Sequence, residues 1–235
     1  MVTEMFSGGP TVYATRAEVR QIDVAAVAEC GINSLVLMEN AARALVDGVL
    51  DTDCERVLIL CGPGNNGGDG FAAARIMASA GADCEVRLIG GGKELSSDAA
   101  ANLAILRNAG GQVDEPEIDA VIDELSTLTD RDLIVDCLLG TGIRGAIRDP
   151  WATVVAAANQ SSARILAADL PSGMDCDQGT AEGVCIEAWR TVTFAAAKQG
   201  FRTPESRRFT GDLTVAHIGM PATWVTEKLK QFRKT

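Results

Sequence analysis

Four short segments concentrate the residue types that do chemistry: GPGNNGGDG (62–70), GTGIRGAIRDP (140–150), DLPSGMDCDQG (169–179) and AAAKQG (195–200). Each follows an apolar run and mixes glycine with amide, carboxylate, hydroxyl or ammonium groups. Glycine lets a backbone approach a ligand closely, and its neighbours supply the polar contacts. Asp169, Asp69 and Lys198 are the groups able to hold a proton or offset a developing charge. Asp136 lies inside the apolar run DLIVDCLLG, where a solvated role is hard to sustain, so a ligand or polar-network role is expected.

Two glycine patterns invite a dinucleotide reading. Gly62, Gly64 and Gly67 form one G-x-G-x-x-G, and Gly140, Gly142 and Gly145 form another. Two matches in one chain show how weak the bare pattern is. A dehydrogenase also needs an acid after its second strand to bind the ribose. Here that strand ends in Gly90-Gly91-Gly92-Lys93. In the first loop, Asp69 would repel a phosphate that a helix N-terminus attracts. The Lys-Ser/Thr of a P-loop is missing too. The second loop is the better anion cradle, with Arg144 and Arg148 beside it.

The elements that must position these groups are legible. T-x-x-E at Thr15 and Glu18 predicts a helix start, with Val19, Ile22 and Ala26 on one face and Gly31 as its stop. A second helix is expected over 34–50. Strand-like runs follow at 56–62, 84–90, 132–140, 163–171, 190–197 and 213–220. Helical stretches are expected at 69–80, 96–109, 118–126, 150–159 and 222–232. This alternation predicts a three-layer α/β/α, Rossmann-like sandwich with a mostly parallel sheet and an N-terminal helical extension. It reads as a single domain over 1–235, loose over 1–12. Ligands bind beyond the carboxyl ends of such strands, where all four polar segments fall.

Composition narrows the function classes. Forty-seven per cent of residues are apolar, enough for a well-buried core. The net charge of -11 disfavours nucleic acid and anionic membrane as partners. The N-terminus carries Glu4 and lacks an apolar signal segment, and no run approaches a membrane span, so a soluble cytoplasmic protein is expected. Seven scattered cysteines without C-x-x-C are expected to be reduced and mostly buried. The single histidine, His217, is expected in a strand, and neither a zinc ligand set nor a G-x-S-x-G elbow accompanies it.

The runs GPGNNGGDG, VDCLLGTGIRGAIRDP and DLPSGMD resemble the YjeF N-terminal family, the NAD(P)H-hydrate epimerases. LMENAAR (37–43) and TVTFAAAKQG (191–200) resemble further blocks of it, and the likeness spans about residues 13–221. The resemblance implies an isomerase that interconverts the R and S forms of NADHX and NADPHX, hydrates of the reduced nicotinamide ring. A separate S-specific dehydratase would then restore the cofactor. It further implies that Asn65, Asn66, Gly67, Gly68 and Asp69 contact substrate, together with Asp169 and the loop Gly140, Thr141, Gly142, Ile143, Arg144, Gly145 and Ala146. Asn66, Asp136 and Ser172 would bind potassium, and such hard oxygen donors suit an alkali or alkaline-earth cation. A homodimer is implied as well. Ala42 and Ala197 depart from the family pattern, where Gly and Pro are common.

Other readings stay open at this level. Asp69 serves equally well as a helix cap, and Ser172 as a turn residue. Lys198 is a general acid, an orienting group or plain surface. Asn40 reaches the site or sits on an exposed face. Asp175, Asp177 and Gly179 could suggest a calcium loop, although the remaining ligands are missing. A non-catalytic nucleotide-binding or dimeric scaffold of the same fold is the competing function, ahead of a dehydrogenase.

Overall fold

The computed structural model describes residues 2–4, 11–90 and 93–234. In chain order the elements are β1 (Val2–Glu4), β2 (Tyr13–Ala14), α1 (Arg16–Cys30), α2 (Ser34–Leu50), β3 (Arg56–Cys61), α3 (Asn65–Ser79), β4 (Glu85–Leu88), α4 (Ser97–Asn108) and α5 (Ile118–Ser126). There follow β5 (Asp132–Cys137), α6 (Trp151–Gln160), β6 (Arg164–Ala168), β7 (Arg190–Phe194), β8 (Ala197–Lys198), α7 (Arg207–Thr210), β9 (Asp212–Ala216) and α8 (Ala222–Phe232).

Seven strands pair in the order β1-β9-β7-β6-β5-β3-β4, and β2 pairs separately with β8. The described pairings are parallel. Alternate residues of each central strand face opposite layers, as the strand period of two requires. Val57, Ile59 and Cys61 of β3 join the cluster beneath α1 to α4 and α8. Leu58 and Leu60 join the cluster beneath α5 and α6. Strands buried on both faces explain why the sequence shows continuous apolar runs rather than alternation.

The order places the first central strand, β3, between β4 and β5. The chain runs outward from β3 to β4 on one side, then resumes at β5 on the other. The crevice at such a reversal, beyond the carboxyl ends of β3 and β5, is where open α/β sheets bind ligands.

Several expectations change in detail. Val2–Glu4 is not loose but adds an edge strand, in register with Leu213 to Val215; residues 5–10 of the same stretch lie outside the described residues. The capping box of Thr15 and Glu18 forms, and Gly31 closes α1 at φ 69°. Asp175 and Asp177 do not make a calcium loop. Asp177 accepts from the Arg16 amide at 2.7 Å, and Asp175 pairs with its guanidinium at 3.0 Å. These contacts fasten the start of α1. His217 follows β9 rather than lying in it. Cys61, Cys137, Cys176 and Cys185 are buried, Cys30 is exposed, and all seven thiols are free. Among the described residues no helix is long and apolar enough to cross a membrane.

Candidate active site

A cavity of about 550 Å³ opens at the sheet reversal. Its volume lies in the range of small-molecule sites. Val19, Leu37, Met38, Ala41, Phe194 and Ile218 form apolar wall, and the polar groups converge from several segments.

The first segment is α3, which begins at Asn65 rather than near residue 69. The run NNGGDG is therefore helix, not loop. Asp69 is no cap: it lies a full turn inside α3 and is 8 % exposed. Glycine is needed because α3 presses against the chain leaving β3. A Cβ on Gly67 would stand 1.8 Å from the Gly62 carbonyl oxygen. Asn65, Asn66 and Asp69 line the cavity, whereas Gly67 and Gly68 are buried packing positions behind it. Burial pushes the Asp69 carboxyl well above the usual carboxylate range, and the charges of Asp169 and Asp23 push the same way.

Asp169 follows β6 and takes φ 63°, and Ala195 follows β7 with the same φ. Each is the centre of a three-residue turn: the Leu170 amide donates to the Ala168 carbonyl, and the Ala196 amide to the Phe194 carbonyl, both at 2.7 Å. Positive φ in such turns is strained for a residue with a Cβ, and strain of this kind gathers at functional sites. Here it swings the Asp169 carboxylate sideways toward β7. Its Oδ1 accepts from Lys198 Nζ at 2.5 Å, the Phe194 amide at 3.1 Å and Thr193 Oγ1 at 3.2 Å. Oδ2 has no protein donor among the described residues.

Lys198 is fully buried. Its ammonium also donates to the Phe194 and Ala196 carbonyls at 3.1 and 3.4 Å. Three donors meet three acceptors, so Lys198 orients Asp169 and has no proton free for a ligand.

The third group lies between β5 and β6. Asp136 Oδ1 accepts from Ser172 Oγ at 2.6 Å and the Leu138 amide at 3.2 Å, while Oδ2 accepts from the Ser172 amide at 2.8 Å. Burial raises the Asp136 carboxyl to about 6 against the opposing pull of the Ser172 hydrogen bonds. Ser172 is thus more than a turn residue. The Asn66 amide donates to the Leu139 carbonyl at 3.0 Å, leaving Asn66 Oδ1 buried without a donor. An orphaned amide oxygen beside a carbonyl, a hydroxyl and a carboxylate fits a hard monovalent cation. Among the described residues no three His, Cys, Asp or Glu side chains gather as a metal site.

The chain is similar to known proteins throughout this region. The family model of the YjeF-related protein N-terminus matches residues 34–200. The chain belongs to the YjeF N-terminal family. An NAD(P)H-hydrate epimerase of Rhodopirellula baltica is 39% identical over 219 residues, 93% of this chain and 87% of the relative. One of Pirellula staleyi is 38% identical, covering 90% and 94%. The bifunctional NAD(P)H-hydrate repair enzyme Nnr of Moorella thermoacetica is 38% identical over 88% of this chain but only 40% of its own length. The crystal structure of the yeast protein ynu0 shares the fold, with a TM-score of 0.71 at 20% identity over 89% of this chain and 87% of that one.

Within this YjeF-type site the second glycine loop divides. Gly140, Thr141, Gly142 and Ile143 line the cavity, and Arg144, Gly145 and Ala146 stand outside its lining. Their positions follow the loop as it turns outward toward α6. Asn40 stands outside the lining of this cavity and ties α2 to the Ile218 carbonyl at 3.1 Å. Sequence reasoning missed Lys93 and Trp151, which line the cavity with the ammonium 4.1 Å from the ring centroid. It also missed Asp23. The signal was present: Asp23 breaks the apolar stripe of Val19, Ile22 and Ala26 with a charge.

Proposed function

We propose that this protein catalyses the interconversion of the R and S hydrates of reduced nicotinamide dinucleotides, NADHX and NADPHX. The observation that carries the reading is the pairing, in one cavity, of a fixed carboxylate with a buried carboxyl whose charged form burial disfavours. Asp169 is the first, held by Lys198; Asp69 is the second.

The chemistry needs no redox step. The ring nitrogen lone pair expels the C6 hydroxyl, which leaves as water after accepting a proton from Asp69. A planar iminium remains. Asp169, with Oδ2 free of protein donors, offsets its positive charge. Water then adds to C6 and returns a proton to a carboxylate. Atoms and charge balance, and only the configuration at C6 changes.

The loop Gly140 to Ile143 supplies backbone amides for the polar parts of the ligand. Asn66, Asp136, Ser172 and the Leu139 carbonyl are suited to hold a potassium ion, which would supply fixed positive charge near a phosphate-bearing ligand. The reading also carries a homodimer, for which exposed Val24 and Val27 on α1 and Val36 on α2 offer apolar surface. A separate S-specific dehydratase would consume the S epimer.

The test supplies R-enriched NADHX with a strictly S-specific dehydratase. Acceleration of R consumption above the spontaneous rate supports the epimerase. Tight ligand binding without acceleration would leave a scaffold and remove the reading.

A further inference from the structure

Interconverting two faces of a flat intermediate poses a problem that one acid cannot easily solve. Water leaves from one face of C6 and returns to the other. Each event needs a group that gives or takes a proton on its own side. A single carboxyl could serve both only if the intermediate turned over within the site.

The site holds a further carboxyl. Asp23 lines the same cavity as Asp69, Asp169 and Lys198. It comes from α1, while Asp69 comes from α3, so the two reach the cavity from different elements. Residue 23 also lies outside the stretch matched by the family model.

The three aspartates differ in their partners. Asp169 is fixed by three donors to one oxygen. Neither Asp23 nor Asp69 has a hydrogen-bond or ion-pair partner among the described residues. A half-buried, unpartnered carboxyl beside the buried stripe of a helix is costly to keep charged. Burial accordingly raises Asp23 to about 6, opposed by Lys198 and reinforced by Asp169. A group so placed is available to a ligand rather than committed to the fold.

Resting on the epimerase reading, we propose that Asp23 is a second acid–base catalytic residue, serving one face of the ring while Asp69 serves the other. In one turnover, the protonated member of the pair gives its proton to the departing hydroxyl and becomes a carboxylate. Water adding from the opposite side gives its proton to the other member. The pair carries one proton before and after the turnover and none while the iminium stands, and exchange with solvent resets it.

Oxygen exchange distinguishes this arrangement from a one-acid site. In water enriched in ¹⁸O, departure and return on the same face label the C6 hydroxyl without changing its configuration. Wild-type protein is assayed first; if it does not epimerise NADHX above the spontaneous rate, the epimerase reading falls and takes this inference with it. With an active wild type, Asp23→Asn is expected to lose epimerisation by about 100-fold or more, the usual worth of a general acid. It should still label one epimer at a rate within a few-fold of wild type, and Asp69→Asn should label the other. Wild-type epimerisation by a folded Asp23→Asn protein overturns the proposal. So does equal loss of labelling in both epimers, because a merely structural role would affect both faces together. If Asp23→Asn does not fold, Asp23→Ser gives the same two readouts.

Discussion

Lys198 and Asp169 form a buried ion pair whose members follow neighbouring parallel strands, with Nζ 2.5 Å from Oδ1. The lysine is fully buried, and the aspartate side chain is 16% exposed. Asp169 sits at a strained strand end and Lys198 holds its carboxylate there, so the pair fixes where the negative charge of the site sits. Removing one partner of such a pair leaves an uncompensated buried charge. Lys198→Met should therefore cost about 3 kcal/mol or more of stability and lower epimerisation steeply. Denaturant unfolding and the coupled assay measure the two effects.

Asp169→Asn tests the charge separately from the shape. The amide oxygen can still accept from Lys198, Phe194 and Thr193, but the buried ammonium loses its counter-charge, so the variant should also lose stability, which denaturant unfolding measures. Epimerisation should drop by about 100- to 1,000-fold, the scale for losing one preorganised electrostatic group. A variant with wild-type turnover and intact circular dichroism would remove Asp169 from the chemistry.

The oxygen cluster of Asn66, Leu139, Asp136 and Ser172 predicts ion-dependent stability. A ligand that binds only the folded state raises the melting temperature by mass action. Potassium should raise that of wild type more than lithium does at equal ionic strength. Asn66→Ala removes the orphaned oxygen and should abolish the difference. Equal melting curves in all alkali chlorides would count against a cation there.

Gly67 predicts a large packing effect. An added Cβ would overlap the Gly62 carbonyl oxygen, which is backbone and cannot rotate away. Gly67→Ala should destabilise by roughly 3 kcal/mol or prevent folding, at the upper end of single substitutions. Thermal unfolding reads the change directly.

Asp23 predicts a pH window. Its carboxyl has a reference value of 3.8 and is raised by burial to about 6 in the folded chain. Lys198 and Asp169 face it from neighbouring segments and act in opposite directions. The folded protein thus binds a proton where the unfolded chain has lost it. Stability from this group is fully present below about pH 4 and is lost as pH rises through about 6, by roughly 3 kcal/mol at about 1.4 kcal/mol per pKa unit. Asp23→Asn should remove that part of the decline, leaving a shallower slope between those limits in denaturant titrations.

Much of this was legible from the chain alone. The alternation of apolar runs with helical stretches determined a parallel sheet, because burial on both faces demands continuous apolar strands. The polar segments fell after the strands, and the missing ribose acid spoke against a dehydrogenase. The motif blocks carried the family. The boundary of α3 was misjudged because a glycine-rich run reads as loop. In the fold, packing against β3 and β5 overrides the low helix propensity of its three glycines.

What the sequence could not decide is which charges meet. Asp23 and Asp69 are separated by a helix and a strand, α2 and β3, and only the pairing of β3 with β5 and the docking of α1 bring them to one cavity. The state of each carboxyl follows from that meeting. Burial, not residue type, disfavours the charged form of Asp69, and three acceptors in reach, not sequence position, fix where the Lys198 ammonium points. Local pattern depends on neighbours along the chain, whereas pKa and partnership depend on neighbours in space.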